Sequence, residues 1–360
     1  MGRIFEIYGI DGLKMTKELM KAAGVAESIP PGVSVVLKPN LVRAGKADTG
    51  ATTHPEVVAG CIEYLQESGI SDISIIESSW VGERTERSFK VCGYDKICEK
   101  YGVPFIDLKK DSAKKVDTPF RTMEISCRAL EAGYLIDLPV LKGHCQTAMT
   151  CALKNLKGCI PDHEKRKFHT DGLIKPIAAL AAVLKPSLVI VDSICGDLYF
   201  EDGGNPVHTN RMMLGRDAVQ IDAYGCQLMG LDVGEVPYIG LAEKWGAGDS
   251  NVRQEDIVRL NEPLESSDYP AVTGKVKKLV ENVYPDGACS VCFASLVRAL
   301  YLAEREGIRI NDRIFIGQGY QGKRVDGIGI GRCCMGADDR VAGCPPQPGD
   351  ILWRWRGRGV

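Results

Sequence analysis

Cysteines are the residues of this 360-residue chain whose types and spacing most plainly imply chemistry: there are fourteen. GACSVC places Cys289 and Cys292 two residues apart at the start of a helix-like stretch, SLVRALYLAE. Further on, Cys333 and Cys334 follow the glycine-rich GIGIGR, and Cys344 stands in GCPP. A helix N-terminus lowers a thiol's pKa, and the thiolate is the form that binds metal. Four thiolates can hold zinc or an iron–sulfur cluster. Zinc ribbons carry two CxxC knuckles, whereas this chain has one knuckle and separate single-cysteine loops. Proline after the last cysteine stiffens its loop and is familiar beside ferredoxin ligands. One 4Fe-4S cluster is therefore favoured over zinc. Cys61, Cys92, Cys98, Cys127, Cys195 and Cys226 stand alone among apolar residues and read as small core fillers.

A second group of polar residues follows short apolar, β-branched runs. VSVVL (33–37) leads into Lys38, Pro39 and Asn40; ISII (73–76) into Glu77, Ser78 and Ser79; YLIDLPV (134–140) into Lys142, Gly143 and His144; SLVIVDSI (187–194) contains Asp192. Open parallel sheets bind ligands beyond the carboxyl ends of their strands. These residues would form a pocket for a small anionic or carbonyl-bearing substrate. HCQTAMTCALKNLKGC adds Lys154 and Asn155, with Gly158 as a helix C-cap. Lys38, Asn40, Glu77, Lys154, Asn155 and Asp192 are assigned to substrate binding. Lys142 and His144 are the catalytic candidates, His144 as general acid because its pKa lies near neutrality. His208, in EDGGNPVHTNR, is placed on a loop lining the same pocket. DHEKRKFH reads as a solvated loop with one catalytic histidine, since the spacing of His163 and His169 suits neither a helical face nor a zinc site. Cys145, Cys151 and Cys159 either line the pocket or pack beneath it.

Helical patterns at 55–68, 86–101, 172–184 and 217–229 alternate with the strand-like runs. The fold class is therefore α/β, a mostly parallel sheet flanked by helices, with a second smaller α/β domain carrying the cysteines. The turn-rich 260–271 marks the boundary, giving domains 1–265 and 266–360. Net charge is −2 with interspersed signs, which gives no basis for nucleic-acid binding. No apolar run approaches the roughly 20 residues that cross a bilayer, and the N-terminus lacks a signal-peptide core. A cytoplasmic protein without stable membrane insertion is expected, and a homo-oligomer is left open. No GxGxxG follows a first strand and no GxxxxGK[ST] occurs. The tail WRWRGRGV reads as a docked or frayed terminus.

The order CxxC, GxC, GCPP resembles the proximal-cluster domain of nickel–iron hydrogenase small subunits and the related complex I subunit. That resemblance implies Cys289, Cys292, Cys333 and Cys344 as ligands of one 4Fe-4S cluster, with Cys334 as substitute for Cys333. VVLKPNLV, TTHPEVV, the LPVLKGH and LKNLKG pair, and LGRDAVQIDAYGCQLMGLD resemble domain of unknown function family 362 over most of residues 30–250. Many of its members carry iron–sulfur motifs, which implies a redox protein. The reading that follows is an iron–sulfur oxidoreductase, an anaerobic reductase of a small anionic substrate fed by a ferredoxin-like donor. One alternative is an electron-transfer or cluster-sensing protein without a substrate of its own. Another is a non-redox lyase or isomerase with a structural cluster; ligation of every iron by cysteine would leave no open iron for Lewis-acid chemistry.

Overall fold

Runs of β-branched residues with no polar alternation are stable as strands only when both faces are covered. The computed structural model, which describes residues 2–264, 267–268 and 275–356, places them at the centre of an eight-stranded sheet. Its strands are β1 (Ile4–Tyr8), β2 (Val35–Pro39), β3 (Ile73–Glu77), β4 (Phe105–Asp107), β5 (Tyr134–Leu138), β6 (Leu188–Asp197), β7 (Pro206–Gly215) and β8 (Ile257–Arg259). Their order is β8-β1-β7-β6-β5-β2-β3-β4. All pairs are parallel except those of β7, which runs antiparallel to both β1 and β6. Leu37 lies opposite Ile75 on one side and Ile136 on the other. Every residue of β2, β5 and β6 is buried.

Helices Gly12–Ala22 and Pro55–Glu67 contribute Met15, Leu19, Val57, Cys61, Ile62 and Leu65 to one core with Leu37, Ile75 and Ile136. Helices Ile174–Val183 and Ala218–Leu228 form where the apolar period predicts them. The helix expected over 86–101 is two, Thr85–Val91 and Tyr94–Tyr101, because Gly93 sits at φ 82° and turns the chain between them. The expected solvated loop at DHEKRKFH is instead the helix Asp162–Thr170, with acids in its first turn and bases in its last.

The chain divides into two compact units, one of Met1–Lys165 with Ile174–Ala271, the other of Arg166–Leu173 with Val272–Val360. The boundary expected between 265 and 266 lies outside the described residues. The second unit has a four-stranded parallel sheet, β9 (Val283–Pro285), β10 (Ile314–Ile316), β11 (Val325–Ile330) and β12 (Ala337–Val341), in sequential order. Helix Ser290–Arg305 buries Phe293, Ala294, Val297 and Leu300, a helical period. Of the expected tail, Trp353 and Trp355 belong to the helix Pro348–Arg356. Trp355 is buried and donates to Asp312 Oδ2 at 3.1 Å, Trp353 is exposed, and 357–360 lie outside the described residues. Among the described residues, no helix is long and apolar enough to cross a membrane.

Cys61, Cys92, Cys195 and Cys226 are buried, as expected of core fillers, whereas Cys98 and Cys127 are half-buried. Ile136 is fully buried in the middle of β5 and pairs across both neighbouring strands. Ile136→Ala should cost about 2–5 kcal/mol, read as a fall in the urea midpoint at constant slope. A change within experimental error would show that β5 is not the centre of the core.

Candidate functional site

The carboxyl ends of β2 and β3 carry Lys38 and Glu77, which face each other as a buried ion pair. Lys38 Nζ lies 3.0 Å from Glu77 Oε2 and donates to the Pro39 carbonyl. Glu77 also accepts from the backbone N–H groups of Leu41 and Ser78. Burial opposes the charge on Lys38, but Glu77, Cys159 and Asp137 outweigh it and hold its pKa above the ordinary value. In β5, Asp137 stands opposite Lys38 and accepts from Asn155 Nδ2 at 2.8 Å. Burial pushes Asp137 up to about 7, against the pull of Lys38 and Asn155. Asn40 does not join this set: its side chain accepts from Val42 N and shapes the turn after β2.

LKNLKG closes over the pair. It forms the short helix Ala152–Asn155 and the 3-10 turn Leu156–Cys159, so Gly158 lies within a turn and not at a helix C-cap. A Cβ on Gly158 would overlap Glu77 Oε1 and lie 2.7 Å from Lys38 Nζ, which is why the position is glycine. Asp222 anchors the short helix by accepting from Ala152 N (2.7 Å) and Leu153 N (3.3 Å), and burial pushes its pKa up to about 8. Lys38, Glu77 and Asn155 thus come together, but as a closed network with one another. Lys165 is buried beside them, donating to the Ser78 and Ser79 carbonyls and to Ser78 Oγ.

A second buried set gathers around Lys142. Its Nζ donates to the carbonyls of Ala51 and Glu201. Burial, then the charge of Lys154, lowers Lys142 to about 7, with Glu201, Asp197 and Asp202 opposing. Burial lowers Lys154 against Glu201, and raises Glu201 against Lys154. His144 Nδ1 accepts the N–H groups of Gln146 (3.0 Å) and Thr147 (3.2 Å), so in the neutral ring the proton sits on Nε2, which is 3.3 Å from Glu201 Oε1. The Cys145 thiol points at the Tyr199 carbonyl, while Cys151 and Cys159 are packed away from solvent. Lys142, His144 and Lys154 are therefore joined by Glu201, a residue that spacing did not reveal. It comes from the LYFEDGG loop, 57 positions after His144.

Asp192, on β6, serves a third group. Its Oδ2 accepts both His54 N (2.7 Å) and His54 Nδ1 (2.8 Å), and its Oδ1 accepts Ile194 N. Burial lowers the imidazole pKa, but Asp192 outweighs it and the net shift is upward. His54 was visible only as the residue before the helix-starting Pro55. His208 lies exposed on β7 and not on a loop, 3.9 Å from Cys195 Sγ. A cleft of about 300 Å³ opens at the amino edge of the sheet, lined by Leu153, Lys185, Arg216 and Asp217 among others, and none of the lysines, carboxylates or histidines above borders it.

In the second unit, the cysteines follow strands of one parallel sheet. Cys289 and Cys292 come after β9, Cys333 and Cys334 after β11, and Cys344 after β12. Backbone bonds from Gly331 N to Val341 O and from Arg332 N to Gly343 O hold the last two loops together. Burial raises the Cys292 thiol, and Cys289, Cys344, Cys333 and Cys334 raise it further. Cys333 is raised by burial and by Cys344. Cys334 is fully buried with its thiol toward the Gly317 carbonyl at 4.0 Å. Among the described residues, no three His, Cys, Asp or Glu side chains are arranged to hold a single metal ion.

Two outcomes check this geometry. Gly158→Ala should lose about 1–3 kcal/mol of stability in urea unfolding, because the buried Lys38–Glu77 ion pair must shift to admit one methyl. For His54, a folded-state pKa above the ordinary 6.5 means that its pairing stabilises fully below pH 6.5 and fades as pH rises through the raised value. His54→Ala should therefore cost more stability in acid than in alkali, and a pH-independent cost would contradict the pairing.

A sequence profile described as a domain of unknown function, DUF362, matches residues 35–227. A thylakoid-associated protein of Synechocystis is 26% identical over 234 residues, covering 62% of this chain and 71% of that protein. Among solved structures, the lactate racemase apoprotein of Thermoanaerobacterium thermosaccharolyticum shares 14% identity at a TM-score of 0.41, covering 64% of this chain. A Thermotoga maritima protein shares 15% at 0.40, covering 61%. This chain spans 57% and 60% of those two solved chains, and likenesses so distant carry no argument about chemistry. The matched segment contains Lys38, Glu77, Asp137, Lys142, Lys154 and Asp192, and by that match over more than half its length the chain belongs to the DUF362 family.

Proposed function

We propose that this protein is an iron–sulfur oxidoreductase that reduces a small anionic substrate. The observation that carries the reading is the arrival of Cys289, Cys292, Cys333 and Cys344 at one edge of a parallel sheet, from three separate loops. The donor set is all thiol, which suits soft metal centres. A Cβ on Gly331 would stand 4.0 Å from Cys292 Sγ, so the loop leading to Cys333 passes beside Cys292. Cys289, Cys344, Cys333 and Cys334 all lie close enough to raise the Cys292 thiol. Cys289, Cys292, Cys333 and Cys344 would hold the cluster. Cys334 is turned toward the Gly317 carbonyl, which supports Cys333 as the third ligand. When bound, the cluster would supply one electron at a time.

The first unit supplies proton chemistry. An amine lowered to about 7 gives and takes protons at neutral pH, and Lys142 is in that state. The Lys154 charge lowers it further, the Glu201 carboxylate opposes that shift, and His144 Nε2 lies 3.3 Å from the same carboxylate. Lys38 and Glu77, closed on each other, are assigned to holding the strand ends and not to substrate. The electron donor would be ferredoxin-like and the working compartment the cytoplasm. A second reading is a non-redox isomerase or lyase with a structural cluster. It is favoured by one observation: Lys142, Lys154, Glu201 and His144 form a proton-transfer set that needs no electron.

Anaerobic purification with iron, sulfide and zinc analysis, and paramagnetic-resonance spectra before and after dithionite, tests the proposal on wild type and Cys344→Ala. The expected result is about four irons per chain and a reducible signal lost in the variant. One zinc and no signal would overturn it. Lys142→Ala and His144→Ala should keep the cluster and lose turnover. If Lys142 is the proton donor, the rate should fall as pH rises through about 7. Proton-transfer activity that persists with the cluster oxidised would establish the non-redox reading.

A further inference from the structure

Between β10 and the next turn lies Gly317-Gln318-Gly319, a loop without a cysteine that touches two that have them. On one side it is clamped to 286–288, the segment running into Cys289. Gln318 N donates to Gly287 O at 3.2 Å and Gly319 N to Asp286 O at 2.9 Å, while Asp286 N donates to Ile316 O at 3.0 Å. A Cβ on Gly317 would overlap the Asp286 carbonyl, and one on Gly319 would overlap the Asp286 carboxylate. On the other side, the Cys334 thiol points to the Gly317 carbonyl at 4.0 Å. The backbone of Gln318 is thereby held from both flanks.

Its side chain reaches the metal-binding edge. Nε2 lies 3.6 Å from Cys289 Sγ, 3.3 Å from Gly287 O and 3.4 Å from Arg166 O. An amide nitrogen has two hydrogens for these three acceptors. Once Cys289 is a thiolate, its sulfur is the acceptor with a full charge, and charge-assisted bonds are roughly twice as strong as neutral ones.

We infer that Gln318 is a positioning residue that donates a side-chain N–H to the sulfur of Cys289 and so raises the reduction potential of a cluster ligated there. The inference rests on the iron–sulfur reading above. Reduction by dithionite adds one electron to the cluster and breaks no bond, so negative charge grows on the sulfurs. A donor fixed at Cys289 stabilises the reduced state more than the oxidised one, and hydrogen bonding to cluster sulfur is one of the levers on potential.

The test is a redox titration with dithionite, followed by paramagnetic resonance, on wild type, Gln318→Met, Gln318→Glu and the exposed Gln321→Ala as control. Methionine keeps the length and removes the donor; glutamate removes it and adds negative charge. Iron and sulfide per chain are measured on each sample. The expected result is wild-type iron content in every variant, a more negative midpoint in Gln318→Met, a more negative one again in Gln318→Glu, and none in Gln321→Ala. Fully loaded Gln318 variants with the wild-type midpoint would overturn the inference while leaving the cluster standing. Loss of the cluster from both Gln318 variants would also overturn it, making the residue a structural support. Absence of iron from the wild type would instead remove the underlying reading.

Discussion

A buried lysine and glutamate that face each other dominate the carboxyl edge of the larger sheet. Taking charges out of water is costly, and the attraction between Lys38 and Glu77 compensates only if the remaining donors and acceptors are also met. Pro39 O meets the ammonium, Leu41 N and Ser78 N meet the carboxylate, and LKNLKG seals the pair from solvent. Removing one partner of such a pair typically costs about 3–5 kcal/mol, because the other charge is left buried and alone. The segment that seals the pair also carries Lys154 and Asn155, so the ion pair and the placement of the neighbouring titratable groups depend on the same few residues.

Those groups oppose one another in their effect on stability. Lys142, lowered below its ordinary value, carries its full penalty to the folded state below about pH 7 and loses it as pH rises from about 7 to 10.5, so stability from this group rises with pH across that window. Glu201, raised above its ordinary 4.5, acts in the reverse sense, and its contribution falls as pH climbs from 4.5. Together they leave the fold least favoured by these groups near neutrality. Burial of ionisable groups carries this cost, because it disfavours their charged forms.

Each unit delivers its chemical groups by the same device. A parallel sheet aligns strand ends at one edge, and the residues that follow each strand converge there whatever their separation in sequence. In the first unit the edge gathers lysines, carboxylates and histidines; in the second it gathers thiols. The two sets differ in exposure. The strand-end charges are buried, whereas Cys344 is exposed and Cys289, Cys292 and Cys333 half-buried.

The α/β class, the central strands and four of the main helices were legible in the sequence, because unbroken β-branched runs and 3.6-residue periods leave few alternatives. So were the cysteine loops, since CxxC and GCPP are local. Gly93 went unread because a left-handed break inside an apolar period looks like a tolerated helix glycine. The helix at Asp162–Thr170 went unread because its polar face outweighs its period. Glu201, Asp137, Lys165 and His54 were decided only by the tertiary structure. Nothing in LYFEDGG, LIDL, DHEK or THPE distinguishes them from surface charges, and their chemistry arises from partners far along the chain. The chain by itself determined which residues end each strand; burial and three-dimensional pairing decided which of them face each other, and so whether a charge is a structural tie or a reactive group.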